Sequence, residues 1–127
     1  MRKSVVVTFV LVLVLGCAKE QPAPQPLATP SEVVAKVYQS FVNQDTAALL
    51  KLSCTSRKQR YVEQPERLRA VMEYWRGSNP TVQIISETHD NSIALVTYRL
   101  KATGKNPTDT SLSTQLYLED GAWKFGY

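Results

Sequence analysis

LSTQLYLEDGAWKF, residues Leu112 to Phe125, decides the architecture of this chain. Leu112, Thr114, Leu116 and Leu118 alternate with Ser113, Gln115, Tyr117 and Glu119, the period of two expected of a strand with one buried face. Asp120-Gly121 reads as a two-residue hairpin turn, because the favoured turn needs positive φ at both central positions. Such a turn pairs Glu119 with Ala122, Leu118 with Trp123 and Leu116 with Phe125. The four apolar side chains then share one face, so turn and pattern agree on the register.

The same period runs upstream. Ala94, Val96, Tyr98 and Leu100 alternate with Leu95, Thr97, Arg99 and Lys101. The hairpin before it, around His89-Asp90-Asn91-Ser92, allows two registers. A two-residue turn at Asp90-Asn91 sets Val82 opposite Arg99, whereas a three-residue turn sets Val82 opposite Leu100 and Ile84 opposite Tyr98. The second keeps apolar residues together and is preferred.

Before residue 80 the period is helical. Thr29, Pro30 and Glu32 form a T-P-x-E start, with a capping threonine, a first-turn proline and a glutamate three residues on. Val33, Val34, Val37, Tyr38, Phe41 and Val42 follow on one broad face. Asp45 can cap a second, short helix through Leu52. A polar, basic stretch, SCTSRKQR, comes next, and Pro65 opens a third helix carrying Leu68, Val71, Met72 and Trp75. Helices followed by four antiparallel strands make an α+β domain.

The other end of the chain carries an address. Met1-Arg2-Lys3 is a positive head, and Val5 to Leu15 is apolar apart from Thr8. Eleven residues at ~1.5 Å cover about half of a ~30 Å hydrocarbon core, which favours a cleaved signal peptide over a spanning helix. Val14-Leu15-Gly16-Cys17 resembles the lipobox of bacterial lipoproteins. The resemblance implies cleavage before Cys17 and diacylglycerol on its sulfur, and the attached chains make a lasting anchor. Ala18 implies, in a Gram-negative cell, the outer membrane facing the periplasm. Residues 1–16 are thus expected to be a signal peptide, and residues 17–30 a lipidated, proline-rich tether. Its prolines at 22, 24, 26 and 30 favour an extended chain of roughly 40 Å. Residues 31–127 are expected to be a single domain.

Two further stretches carry a second resemblance: TPSEVVAKVYQSF with NQDTAALLKL, and LYLEDGAWKF at the end. They resemble nuclear-transport-factor-2-like (cystatin-like) domains. The resemblance implies a curved four-stranded sheet wrapped around the first helix, with a pocket at the open end. Its members include polyketide cyclases, isomerases and small lipoproteins, so the site must choose the function.

The inward set of the two hairpins contains no carboxylate and no imidazole; Glu87 falls on the outer face in the preferred register. That argues against catalysis, and no catalytic residue, cofactor site or metal site is assigned. His89, the only histidine, belongs to a turn beside Asp90. Cys54 reads as a small buried hydrophobe. Tyr38, Phe41, Trp75 and Tyr98 are the candidate pocket aromatics. Arg57, Lys58 and Arg60 form a candidate basic patch within Lys51–Arg76, whose seven basic and three acidic residues give +4. The whole chain is +4, and loss of Arg2 and Lys3 lowers this to +2. A nucleic-acid partner is not expected.

The expected function is that of a lipid-anchored envelope domain, non-catalytic, binding a protein partner or a small apolar ligand. A cyclase- or isomerase-like enzyme is one alternative. A structural module dimerising on the outer sheet face is the other.

Overall fold

A computed structural model describes residues 27–126. The expected signal peptide, Cys17 and most of the tether lie outside the described residues. Four helices precede four strands: α1 (Pro30–Val42), α2 (Thr46–Leu52), α3 (Thr55–Glu63), α4 (Pro65–Trp75), β1 (Thr81–His89), β2 (Ile93–Ala102), β3 (Thr108–Glu119) and β4 (Ala122–Phe125). The strands form one curved antiparallel sheet in the order β1-β2-β3-β4.

Helix α1 starts as its sequence dictates. Glu32 N–H donates to Thr29 Oγ1 (3.1 Å) and Thr29 N–H donates to Glu32 Oε1 (2.8 Å), a complete capping box. Its Val33, Val34, Val37, Tyr38 and Phe41 are buried against Ala94, Val96, Tyr98 and Leu100 of β2, with Leu116, Trp123 and Phe125 closing the core. Asp45 caps α2 by accepting from Ala48 N–H (3.0 Å).

The polar stretch after Cys54 is helical, although its residues predict no helix; the described residues hold four helices where the sequence predicts three. Cys54 offers α3 no side-chain cap, and Tyr61 is the helix's only buried residue. Its start is completed from elsewhere: Glu119 Oε1 accepts from Thr55 N–H (3.0 Å) and Thr55 Oγ1 (2.9 Å). A nine-residue helix is marginal alone, and this one depends on its neighbours.

The β3–β4 register is the expected one, with Glu119↔Ala122, Leu118↔Trp123 and Leu116↔Phe125. Asp120 and Gly121 have φ of 53° and 76°, the paired positive values of the tight turn. Gly104, at φ 98°, serves a close approach: a Cβ there would lie 2.4 Å from Gly77 O.

The first hairpin corrects its expectation. Val82↔Leu100 and Ile84↔Tyr98 pair as predicted, but a bulge between Ile84 and Ser86 moves the later pairs to Ser86↔Thr97, Glu87↔Val96 and His89↔Ala94. Asp90 Oδ1 closes the turn by accepting from Ser92 N–H (2.8 Å) and Ile93 N–H (2.9 Å), which holds its carboxyl below the usual range. The extra residue reverses the alternation beyond it. Glu87 and His89, opposite the buried Val96 and Ala94, therefore stand on the inner face.

Candidate functional site

The four candidate pocket aromatics come together inside the cone. Tyr38 meets Phe41, Trp75 and Tyr98 edge-on, with ring centroids 5.5, 5.8 and 5.8 Å apart, and Phe41 stacks on Trp75 at 6.1 Å. Such contacts contribute beyond the area they bury. The phenols are satisfied by one another: Tyr38 OH and Tyr98 OH are 2.8 Å apart, and Tyr98 OH lies 3.2 Å from Thr114 Oγ1. Burial pushes the Tyr38 phenol above its ordinary value, Tyr98 adds to the effect, and Arg57 opposes it weakly. Tyr38 is therefore a neutral hydroxyl at physiological pH, not a base.

At the α1 end of the sheet the bulge assembles a second group. Glu87 Oε1 accepts from Ser31 N–H (3.0 Å) and Ser31 Oγ (2.6 Å), closing the first turn of α1. Its other oxygen lies 3.8 Å from His89 Nε2, and the His89 ring meets Trp123 edge-on at 5.4 Å. An acid and an imidazole thus share this rim, whereas the sequence pattern sets Glu87 on the outer face and His89 in the turn. The only sequence cue was the Ile84-Ile85 doublet, which breaks no obvious pattern.

The third location is a cleft of about 440 Å³ between α3 and α4. Arg57 and Arg60 of the candidate patch line it, joined by Arg67 from α4; Lys58 is exposed and lies outside the lining. Tyr61, Ala70, Val71 and Tyr74 supply its walls. Arg57 is half-buried and partly committed. It lies over the Phe125 ring at 4.8 Å and the Tyr61 ring at 5.5 Å, and its Nη1 donates to Gly126 O (2.7 Å). Its Nε is buried with no acceptor among the described residues. Arg67 Nε donates to the Gln64 side chain.

Cys54 is buried, with Sγ 3.3 Å from Ser56 Oγ, and its N–H donates to Phe125 O (2.9 Å). Among the described residues no group of three His, Cys, Asp or Glu side chains could hold a metal ion. Among them, too, no helix is long and apolar enough to cross a membrane.

The geometry has counterparts among solved structures. The SEC-C motif containing protein from Rhodopseudomonas palustris superposes with a TM-score of 0.62 at 16% identity, over 77% of this chain and 75% of that one. A Nostoc punctiforme protein of unknown function with a cystatin-like fold gives 0.58 at 13% identity, over 75% and 81%. A Campylobacter jejuni protein provisionally described as an NTF2-like transpeptidase gives 0.55 at 16%, over 78% and 99%. No protein-family model matches this chain, and no curated protein sequence matches it significantly. The fold is thus that of the cystatin-like, nuclear-transport-factor-2-like class. At these identities the likeness establishes the architecture alone.

Proposed function

We propose that this protein is a lipid-anchored domain of the bacterial cell envelope that binds a partner or ligand on its surface and does not catalyse a reaction. The observation that carries the reading is the occupied cone. Tyr38, Phe41, Trp75 and Tyr98 fill it with mutual ring contacts, and its hydroxyls satisfy one another. A substrate would have to displace packed aromatic rings, at a cost of several kcal/mol by the scale of large core deletions.

The anchor rests on Val14-Leu15-Gly16-Cys17 and the positive, apolar leader before it. In a Gram-negative cell it would hold the domain at the outer membrane, facing the periplasm. Palmitate labelling of cells expressing the chain tests this. Label on the wild type and none on Cys17→Ser, with loss of membrane retention, is the expected result. Unchanged retention of the serine variant would sink the anchor.

A second reading, acid–base catalysis at the rim, is favoured by Glu87 and His89 on the inner face. It ranks below because Glu87 Oε1 already takes both Ser31 bonds and closes a helix.

A further inference from the structure

Asp90 N–H donates to Ile93 O (3.1 Å), which leaves Asn91-Ser92 as the turn between β1 and β2. β1 then has one residue more than the ladder needs, and the bulge after Ile84 stores it. A second place can store it. If the ladder ran on unbroken from Ile84↔Tyr98, Asp90, Asn91 and Ser92 would form a three-residue turn. Ser86 would then face Val96 and Thr88 would face Ala94, with Glu87 and His89 on the outer face.

We propose that this hairpin is a two-register switch, latched by the bonds between Glu87 and Ser31, and that the rim holds its acid and imidazole in one register only. Apolar packing barely separates the two registers. Ile84 and Ile85 are 39% and 57% exposed, so neither isoleucine fixes β1 strongly on one face. Solvation favours the unbroken ladder, which returns a carboxylate and an imidazole to water and turns Ser86 and Thr88 inward. What opposes it is specific. Glu87 Oε1 accepts from Ser31 N–H (3.0 Å) and Ser31 Oγ (2.6 Å), and the His89 ring meets Trp123 at 5.4 Å.

The slip disturbs little else. β1 is an edge strand, so only its ladder to β2 is rebuilt, and only the four pairs from Ser86↔Thr97 to His89↔Ala94 change. Ser31 lies in the first turn of α1, so displacement of that turn is the event that frees Glu87. In the unbroken register Ser86 and Thr88 take the inner positions, and the rim loses its acid and its imidazole together.

Paired cysteines in the full chain read the register. Thr88→Cys with Leu95→Cys sets two thiols on one face in the bulged register, whereas Thr88→Cys with Ala94→Cys does so only in the unbroken one. Cys54 is buried and stays in place. Each variant is equilibrated in a glutathione buffer, and mass spectrometry reads the oxidised fraction. The first pair should dominate when Ser31 is present. Ser31→Ala should favour the second pair at least about tenfold, the worth of one hydrogen bond to a charged group. The Thr29–Glu32 capping box still starts α1 in that variant. Deleting Ile85 removes the stored residue and should suppress the second pair even beside Ser31→Ala.

Two results would overturn the proposal. One is a Thr88–Ala94 disulfide that Ser31→Ala leaves unchanged. The other is the same disulfide forming equally well in the Ile85 deletion, which would mark simple fraying. The switch is independent of the anchor on Cys17 and of any surface partner, since its readout is confined to one hairpin.

Discussion

Glu119, the last residue of β3, caps a helix that begins 64 positions earlier, by accepting from both the N–H and the hydroxyl of Thr55. Capping interactions of this kind contribute about 1 kcal/mol. Glu119→Ala should therefore lower the unfolding midpoint by roughly 4–8 °C, the shift expected of a domain this size. Amide exchange should quicken first in α3. Glu119→Gln keeps an acceptor and should lose less. Uniform destabilisation with α3 no more affected than α1 would contradict the capping role.

The phenol pair in the cone makes an ordered prediction. Tyr38→Phe leaves Tyr98 bonded to Thr114, so it should cost about 1 kcal/mol, a single hydrogen bond. Tyr98→Phe strands both partners and should cost more; denaturant titration of the two variants checks the order.

The same phenol sets an alkaline limit. The folded pKa of Tyr38 lies above its ordinary value of 10.0, so the folded state keeps a proton that the unfolded chain gives up. Its contribution is complete below pH about 10, and above that stability falls by up to ~1.4 kcal/mol per pH unit. Tyr38→Phe should flatten that alkaline decline in denaturant midpoints measured between pH 9 and 11.5 or so.

Arg57 separates packing from charge. Its guanidinium lies over Phe125 and Tyr61 and bonds Gly126 O, so Arg57→Ala should cost about 2 kcal/mol. Arg57→Lys keeps the charge but not the planar fork, and should recover little of it. Arg60→Gln, at an exposed position, should change the unfolding free energy by less than about 0.5 kcal/mol. Near-equal effects of Arg57→Lys and wild type would assign Arg57 a purely electrostatic part.

Cys54 is buried and should react with a thiol reagent only as fast as the fold opens around it. Cys54→Ser exchanges the thiol beside Ser56 Oγ for a smaller hydroxyl in a buried position and should destabilise by about 1–3 kcal/mol. Labelling as fast as a free thiol at neutral pH would show the site to be open.

What the sequence revealed, and what it hid, follows from the range of the forces involved. The capping box of α1 and the Asp120-Gly121 hairpin are local, and both stand as their residues imply. The bulge after Ile84 is not local in that sense. Two adjacent isoleucines satisfy either register, and the slip shows only where Glu87 meets Ser31, 56 positions away. Helix α3 was hidden for the same reason, because Cys54 gives no capping cue and Glu119 is remote. The arginine cleft was half legible: Arg57 and Arg60 are near neighbours in sequence, but Arg67 joins them only once α3 and α4 pack.

That remote cap also implies an order of events in folding. Glu119 reaches its final place when β3 and β4 pair across Asp120-Gly121, whereas α1 carries its own start signal and needs no such wait. α3 should therefore consolidate after the final hairpin, and substitutions in it should speed unfolding more than they slow folding. The arginine cleft then comes into being last, completed by strand pairing near the end of the described residues.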